Sequence, residues 1–357
     1  MTDTISVTGA GYRTKGIKRF GYTVSDKPSN GAAMEQAVTV FGEALVDDFS
    51  TRKVVGGAPF NLARHLAGFG LPVTMITRIG DDSNGQLIRD EFTRFGVRES
   101  GLQTGPGEAT GSVHVEVGAD GSHQFTIVPD QAYDHIDSAA ALAASQATQP
   151  SIFCFGTLAQ RDPQSRAALH ALLEQTQAVR FLDLNLRAGF VDETIVFDSL
   201  QQADIVKVNE EELQQLFKWY CHTCPDTVNM ECISVDTECR AMMHNFSLSA
   251  LVVTMGARGA LYLSSDGAHV AGHGATVDGA FVDAVGAGDA FNAVFLLGRL
   301  RGWTMEQTLA RANAFAASSC VHAGAVPQDL SCYERWMTEW MRSGTTDELF
   351  SAPKVTG

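Results

Sequence analysis

Asp283-Ala284-Val285-Gly286-Ala287-Gly288-Asp289, running straight into a helix-forming stretch over residues 290–300, is the segment on which the reading of this chain turns. Two glycines flanking an alanine make a loop whose backbone can approach a ligand closely and take up φ > 0. The stretch behind it reads as a helix, so the unpaired N–H groups of the helix start point into the loop. Such an end suits a phosphate or a phosphoryl group in transfer. Asp289 stands in the first turn, beside that anion. A carboxylate there is ill suited to holding phosphate, because like charges repel. It suits a general base acting on an alcohol that attacks the phosphate. For the segment alone, a tight turn with Asp289 complementing the helix dipole accounts for the residues equally well.

Outward from this helix, strand-like and helical runs alternate. Strand patterns occupy residues 37–46, 73–79, 151–155, 180–184, 203–208 and 251–255, and helical patterns occupy 61–69, 85–95, 290–300 and 305–322. The last two helices are read as closing the domain. This alternation predicts an α/β fold with a mostly parallel central sheet covered by helices. Residues 112–117 and 123–128 alternate around Gly118-Ala119-Asp120-Gly121, a hairpin signal that interrupts the rhythm and so stands off the main sheet as a flap. Residues 1–36 lack sustained periodicity and read as a flexible N-terminal extension; residues 343–357 read as a polar, frayed tail. Met34 immediately precedes the first strand and is a candidate natural start, which the intact mass of the protein from its own host would test.

The chain has 357 residues, 45% of them hydrophobic, enough for a sizeable core in one large or two smaller domains. A net charge of −15 and a pI near 5.0 argue against nucleic acid or an anionic membrane as partner. No apolar run reaches the length of a membrane span, and the first residues carry Lys15, Lys18 and Arg19 without the apolar core of a secretory signal. The cytoplasm is therefore the expected compartment. Seven cysteines do not suggest a disulfide framework. Cys221-x-x-Cys224 has half of a zinc-site spacing, with His222 and His244 nearby, but Cys232 and Cys239 are too widely spaced to complete it. Free thiols are the preferred reading.

Five further segments carry candidate chemistry. Gly56-Gly57-Ala58-Pro59-Phe60-Asn61 opens a helix; its glycines admit a polyol close to the backbone, and Asn61 offers both donor and acceptor. Gly42-Glu43-Ala44-Leu45-Val46-Asp47 ends the first strand with carboxylates, where open α/β sheets bind ligands. Asp183-Leu184-Asn185-Leu186-Arg187 ends another strand with an acid, an amide and a guanidinium. Asn209 and Glu212 follow the strand bearing Lys207 and share one face of a helix start; they suit either a hydrated Mg²⁺ or a plain helix cap. Thr254-Met255-Gly256-Ala257-Arg258-Gly259 forms a tight loop against a flat ligand. No Walker A sequence is present, so ATP would need another architecture.

In order, GGAPFN, a flap hairpin, LDLNLR, KVNEEE, VTMGARG and DAVGAGD resemble the ribokinase-like (PfkB) carbohydrate kinases, and within them the fructokinase-like sugar kinases, over roughly residues 37–340. The resemblance implies a ribokinase-like three-layer sandwich over residues 37–342, with a small β-sheet lid around residues 43–55 and 109–130. It implies ATP-dependent phosphorylation of a sugar hydroxyl in which Asp289 is the general base and the backbone of Gly286, Ala287 and Gly288 forms the anion hole. Asp47, Gly57, Asn61 and Asn185 would bind the sugar. Lys207, Thr254, Gly256, Gly259 and Asn313 would line the ATP site, and Asn209 and Glu212 would stand near Mg²⁺. Asp283 sits where many members help bind a monovalent cation such as K⁺, but Ala284 replaces the usual Thr. Fructokinase-like members often end the second flap strand with Tyr-Arg; here Phe125-Thr126-Ile127-Val128-Pro129-Asp130 lacks the arginine, which favours a neutral sugar. A homodimer through the lid is implied as well. A nucleoside kinase of the same fold and a catalytically inactive sugar-binding regulator are the alternatives.

Overall fold

The structure is a computed structural model and describes residues 36–49, 51–117, 123–221, 233–276, 279–321 and 324–343. The extension over residues 1–35, including Met34, the Gly118–Gly121 turn, His222, Cys224, Cys232 and the tail beyond Ser343 lie outside them. In chain order the elements are β1 (Val38–Phe41), β2 (Leu45–Asp48), β3 (Lys53–Gly56), α1 (Ala58–Gly68), β4 (Val73–Gly80), α2 (Ser83–Phe95), β5 (Leu102–Gly105), β6 (Gly111–Val117) and β7 (His123–Ile127). There follow α3 (Ser138–Thr148), β8 (Ile152–Phe155), α4 (Pro163–Gln175), β9 (Val179–Asp183), α5 (Glu193–Gln202), β10 (Ile205–Asn209), α6 (Glu210–Tyr220) and α7 (Ile233–Phe246). The remainder comprises β11 (Ala250–Thr254), β12 (Gly259–Ser264), β13 (His269–His273), α8 (Ala287–Arg301), α9 (Met305–Ser319) and α10 (Ser331–Ser343).

The main sheet has the order β13-β12-β11-β10-β9-β8-β1-β4-β5. From β11 through to β5 it is parallel, and β12 and β13 add an antiparallel margin. Strands buried on both faces are apolar on both, and their alternation assigns the layers. In β8, Ile152 and Cys154 join a core with α1, α2, α8, α9 and α10, whereas Phe153 and Phe155 join a core with α3 to α7. The expected three-layer α/β sandwich is the observed one. Its chain order runs outward from β1 to β4 on one side and to β8 on the other. That reversal opens a crevice at the carboxyl ends of β1 and β8.

The run over residues 37–46 is two strands rather than the single strand its apolar pattern suggested. β1 ends at Phe41; Gly42 has φ 151°, and a Cβ there would meet Pro59 at 2.5 Å. The chain turns out of the main sheet and β2 begins a second sheet, ordered β3-β2-β6-β7. There β6 and β7 form the expected hairpin, β2 pairs with β3 antiparallel and β2 with β6 parallel. Leu45, Val113 and Val115 are buried within this sheet. A second correction concerns the end of the domain. The helices after residue 286 number three among the described residues, and α10 packs Tyr333, Trp336 and Trp340 into the core.

Candidate active site

Because β1, β4 and β8 to β11 are parallel, their carboxyl ends share one edge of the sheet, and the candidate residues lie along it. Glu43 follows β1, Asp183 ends β9, Lys207 and Asn209 close β10, and Thr254 closes β11. Asn209 and Thr254 are register partners. Two helix starts face this edge. α1 begins after Gly57, and α8 begins after Gly286, whose φ of 79° suits glycine and whose missing Cβ lets Ala325 approach.

The two helices meet in one hydrogen bond. Asn61 Nδ2 donates to Asp289 Oδ2 at 2.7 Å, joining residues 228 positions apart. Asp289, in the first turn of α8, is only 8% exposed. Burial pushes its carboxyl up to about 7, and Asp183 pushes the same way; Asn61, Lys207 and Arg187 oppose them. Lys207 donates to Asp183 Oδ1 at 3.2 Å, and its Nζ lies 3.5 Å from where a Cβ on Gly288 would stand. The ammonium is therefore beneath the opening of α8. Burial would lower the Lys207 pKa, but Asp183 and Glu212 carry it above its ordinary value. It stays a cation.

The first bond of α8 runs from Ala290 N–H to the Gly286 carbonyl, and Ala287 N–H is taken by the Ala284 carbonyl at 3.2 Å. Ala287 N–H, expected in the anion hole, is thus engaged within the loop, and among the described residues the amides of Gly286, Gly288 and Asp289 have no backbone acceptor.

Two more carboxyls border the cluster. Burial raises Glu43 to about 7, with Arg187 lowering it and Asp289 and Asp183 raising it. Burial likewise raises Asp47, on β2, to about 6 against the pull of Arg187 and Arg64. Asn185 takes φ 43°, uncommon for a residue with a side chain, and lines a small cavity with Glu43, Asp183, Pro59 and Thr157. Asn185 thus stands with Glu43 and Asp183 at the carboxyl ends of β1 and β9, Gly57 lies against the Glu43 carbonyl, and Asp47 is on β2.

The remaining candidates have structural work of their own. Asn209 and Glu212 form a capping box: Asn209 Oδ1 accepts from Glu212 N–H at 2.8 Å, and Glu212 Oε2 accepts from Asn209 N–H at 2.8 Å. Glu212 Oε1 accepts from Leu186 N–H at 2.9 Å. Both oxygens of Glu212 are engaged, and the described residues hold no group of three His, Cys, Asp or Glu placed to bind a metal. Asn209 and Glu212 fit a hydrated cation reached through water, not a directly coordinated one. Asp283 Oδ1 accepts from Val285 N–H at 3.0 Å, which caps its own loop. Gly256 opens a single 3₁₀ turn, and Gly259 lies against Gly272, where a Cβ would meet the carbonyl at 2.0 Å. Asn313 donates to the carbonyls of Gly272 and His273, fixing β13. These residues flank the β11–β13 end of the edge, away from the Asn61–Asp289 contact in the sheet order. Cys221 and Cys239 are free thiols.

Sequence reading passed over Arg64 and His65, and noted Asp183 only as the acid that ends its strand. Arg64 Nη2 donates to Asn61 Oδ1 at 2.5 Å. His65 makes contact with Tyr333 Oη at 2.9 Å and with the carbonyl of Ala325 at 3.0 Å, so it buttresses the loop that Gly286 packs on. The available signal was two adjacent polar positions, Arg64 and His65, inside an apolar helix.

Comparison with known proteins points the same way. A family model described as pfkB family carbohydrate kinase matches residues 31–330. Among curated proteins, Fructokinase-1 of Oryza sativa subsp. japonica is 27% identical over 323 residues, covering 83% of this chain and 95% of that protein. Among solved structures, a fructokinase with bound ATP from Xylella fastidiosa superposes with a TM-score of 0.73 at 22% identity, covering 86% of this chain and 99% of the other. A fructokinase double mutant from Vibrio cholerae O395, in fructose, ADP and potassium ion bound form, gives a TM-score of 0.68 at 23% identity, with 86% and 99% covered. At these identities the structural likeness establishes the fold.

Proposed function

This chain belongs to the pfkB family of carbohydrate kinases, and from that premise we propose that it phosphorylates a neutral sugar at the expense of ATP, with Asp289 as general base. The observation that carries the reading is the buried Asn61–Asp289 contact at the mouth of α8, with Lys207 beneath the same turn. Asp289 Oδ2 is held by Asn61, which leaves Oδ1 to receive the proton of the sugar hydroxyl. As that proton leaves, the sugar oxygen attacks the γ-phosphorus, and the bond from phosphorus to the β–γ bridging oxygen breaks to release ADP. The amides of Gly288 and Asp289 and the Lys207 ammonium face the transferring group and offset its charge. A divalent cation carried on the nucleotide phosphates would neutralise further charge, with Asn209 and Glu212 meeting it through water.

The acceptor is read as neutral because residues 125–130 lack an arginine and the carboxyls of Glu43, Asp183 and Asp289 gather at the strand ends. Carboxyls accept from sugar hydroxyls and repel a sugar phosphate. The sheet β3-β2-β6-β7 carries Asp47 and acts as a lid that shields the site from water. Fructose is the first sugar to test, since the curated relative named above is a fructokinase. ADP release measured across fructose, other hexoses, sugar phosphates and nucleosides, with Asp289→Asn as control, tests the proposal. Turnover on a neutral sugar that vanishes in the variant is expected. A preference for nucleosides, or sugar binding without ADP release by the unaltered protein, would overturn it.

A further inference from the structure

Arg64 lies in α1 with only 2% of its side chain exposed. Its Nη1 donates to Glu91 Oε2 at 2.7 Å; its Nη2 donates to Asn61 Oδ1 at 2.5 Å and to the Val55 carbonyl of β3 at 2.9 Å. The guanidinium carbon sits 4.9 Å from the centroid of the Phe60 ring. A guanidinium is costly to bury even when paired, and Nε of Arg64 has no hydrogen-bond partner among the described residues. An aliphatic side chain would fill the space at lower cost, so the charge calls for a role beyond packing.

An arginine only donates hydrogen bonds. The end of the Asn61 amide that faces Arg64 must therefore be its oxygen, and the other end must present N–H groups to Asp289. A neighbour able to accept would let the amide turn over and aim its oxygen at the carboxylate. We infer that Arg64 is a positioning residue: it fixes the polarity of the Asn61 amide so that Asp289 Oδ2 is always met by a donor, and it ties that arrangement to β3 of the lid through Val55. The inference rests on the reading of Asp289 as the base. The groups facing Asp289 are Asn61 from α1, Asp183 from β9, Arg187 beyond it, Lys207 from β10, and Glu43 after β1. Of these, Asn61 is the one that Arg64 holds by a hydrogen bond. Arg64 also acts on Asp47 through its charge, which a lysine retains.

The test is the pH dependence of kcat from pH 5.5 to 9 in Arg64→Lys and Glu91→Ala, beside the unaltered protein and Asp289→Asn. A lysine keeps the cation but cannot reach Glu91, Val55 and Asn61 together. Glu91→Ala loosens Arg64 from its more exposed partner without emptying the pocket, so it serves if Arg64→Lys does not fold. Loss of a donor to the carboxylate moves the acid limb up by about one pH unit in Arg64→Lys, lowering kcat about fivefold at pH 7 with recovery by pH 9. A smaller shift in the same direction is expected for Glu91→Ala. Cooperatively folded variants whose acid limb coincides with that of the unaltered protein would overturn the inference, even if kcat fell uniformly. An active Asp289→Asn would instead overturn the assignment of the base.

Discussion

At the scale of the residue, Asp289 is held against its charge, and the cost has a sign. Its carboxyl has an ordinary value of 3.8 and rises to about 7 in the folded chain. Burial thus favours the protonated form. The contribution to stability is fully present below about pH 4 and is lost as pH rises through about 7. Asp289→Asn is neutral and nearly the same shape, and it still offers an oxygen to Asn61. The variant is expected to match the unaltered protein near pH 4 and to exceed it by on the order of 2–4 kcal/mol at pH 8 in urea unfolding. A variant no more stable at pH 8 than the unaltered protein would show that Asp289 is not held against its charge. Asp289, Gly286, Gly57 and Asn61 were legible in the sequence because glycine spacing and helix starts are local features. Arg64 was not, because its role arises from contacts with elements remote in the chain; Asp183 was visible as a strand-ending acid, but its bond to Lys207 was not. Only the folded chain brings Val55, Glu91 and Asn61 around one guanidinium.

At the scale of the element, Asn209 and Thr304 make the same device for different ends. Both open a helix with a capping box, Asn209 with Glu212 on α6 and Thr304 with Gln307 on α9. Replacement of either by Ala is expected to cost about 1 kcal/mol of stability. Only Asn209→Ala is expected to lower kcat as well, since α6 starts at the edge where phosphate would lie and α9 does not. Equal kcat in the two variants would reduce Asn209 to a cap. The sequence made both the cap and the ligand readings available for Asn209, and the structure shows the cap directly. It also explains why residues 37–46 read as one strand. They are almost continuously apolar, and only the conformation of Gly42, not its identity, separates β1 from β2. The α10 pattern was there to be read: Tyr333, Trp336 and Trp340 fall at helical spacing, but polar residues around them diluted the signal.

At the scale of the molecule, the sheet order places the candidate site and aromatic packing ties the last helix to the core. Trp340 packs edge-on against Trp303 and at a tilt against Phe69 and Trp336, linking α10 to the end of α1 and to the chain between α8 and α9. Trp340→Ala is expected to cost about 3–5 kcal/mol in urea unfolding while leaving kcat within a few-fold at 25 °C, because this packing lies away from the strand ends. The alternation that announced an α/β sandwich was legible because each unit is written in a short stretch; the separate lid sheet was half legible, through its hairpin alone. The central claim is that Asp289 removes the proton from a sugar hydroxyl as phosphoryl transfer begins. The most direct measurement is the single-turnover rate of sugar phosphate formation from ATP at pH 8, for the unaltered protein and Asp289→Asn, with sugar affinity measured alongside by calorimetry. A loss of about 10²–10⁴-fold in the transfer rate is expected, with sugar affinity kept within a few-fold; a near-unchanged transfer rate would contradict a general-base role for Asp289.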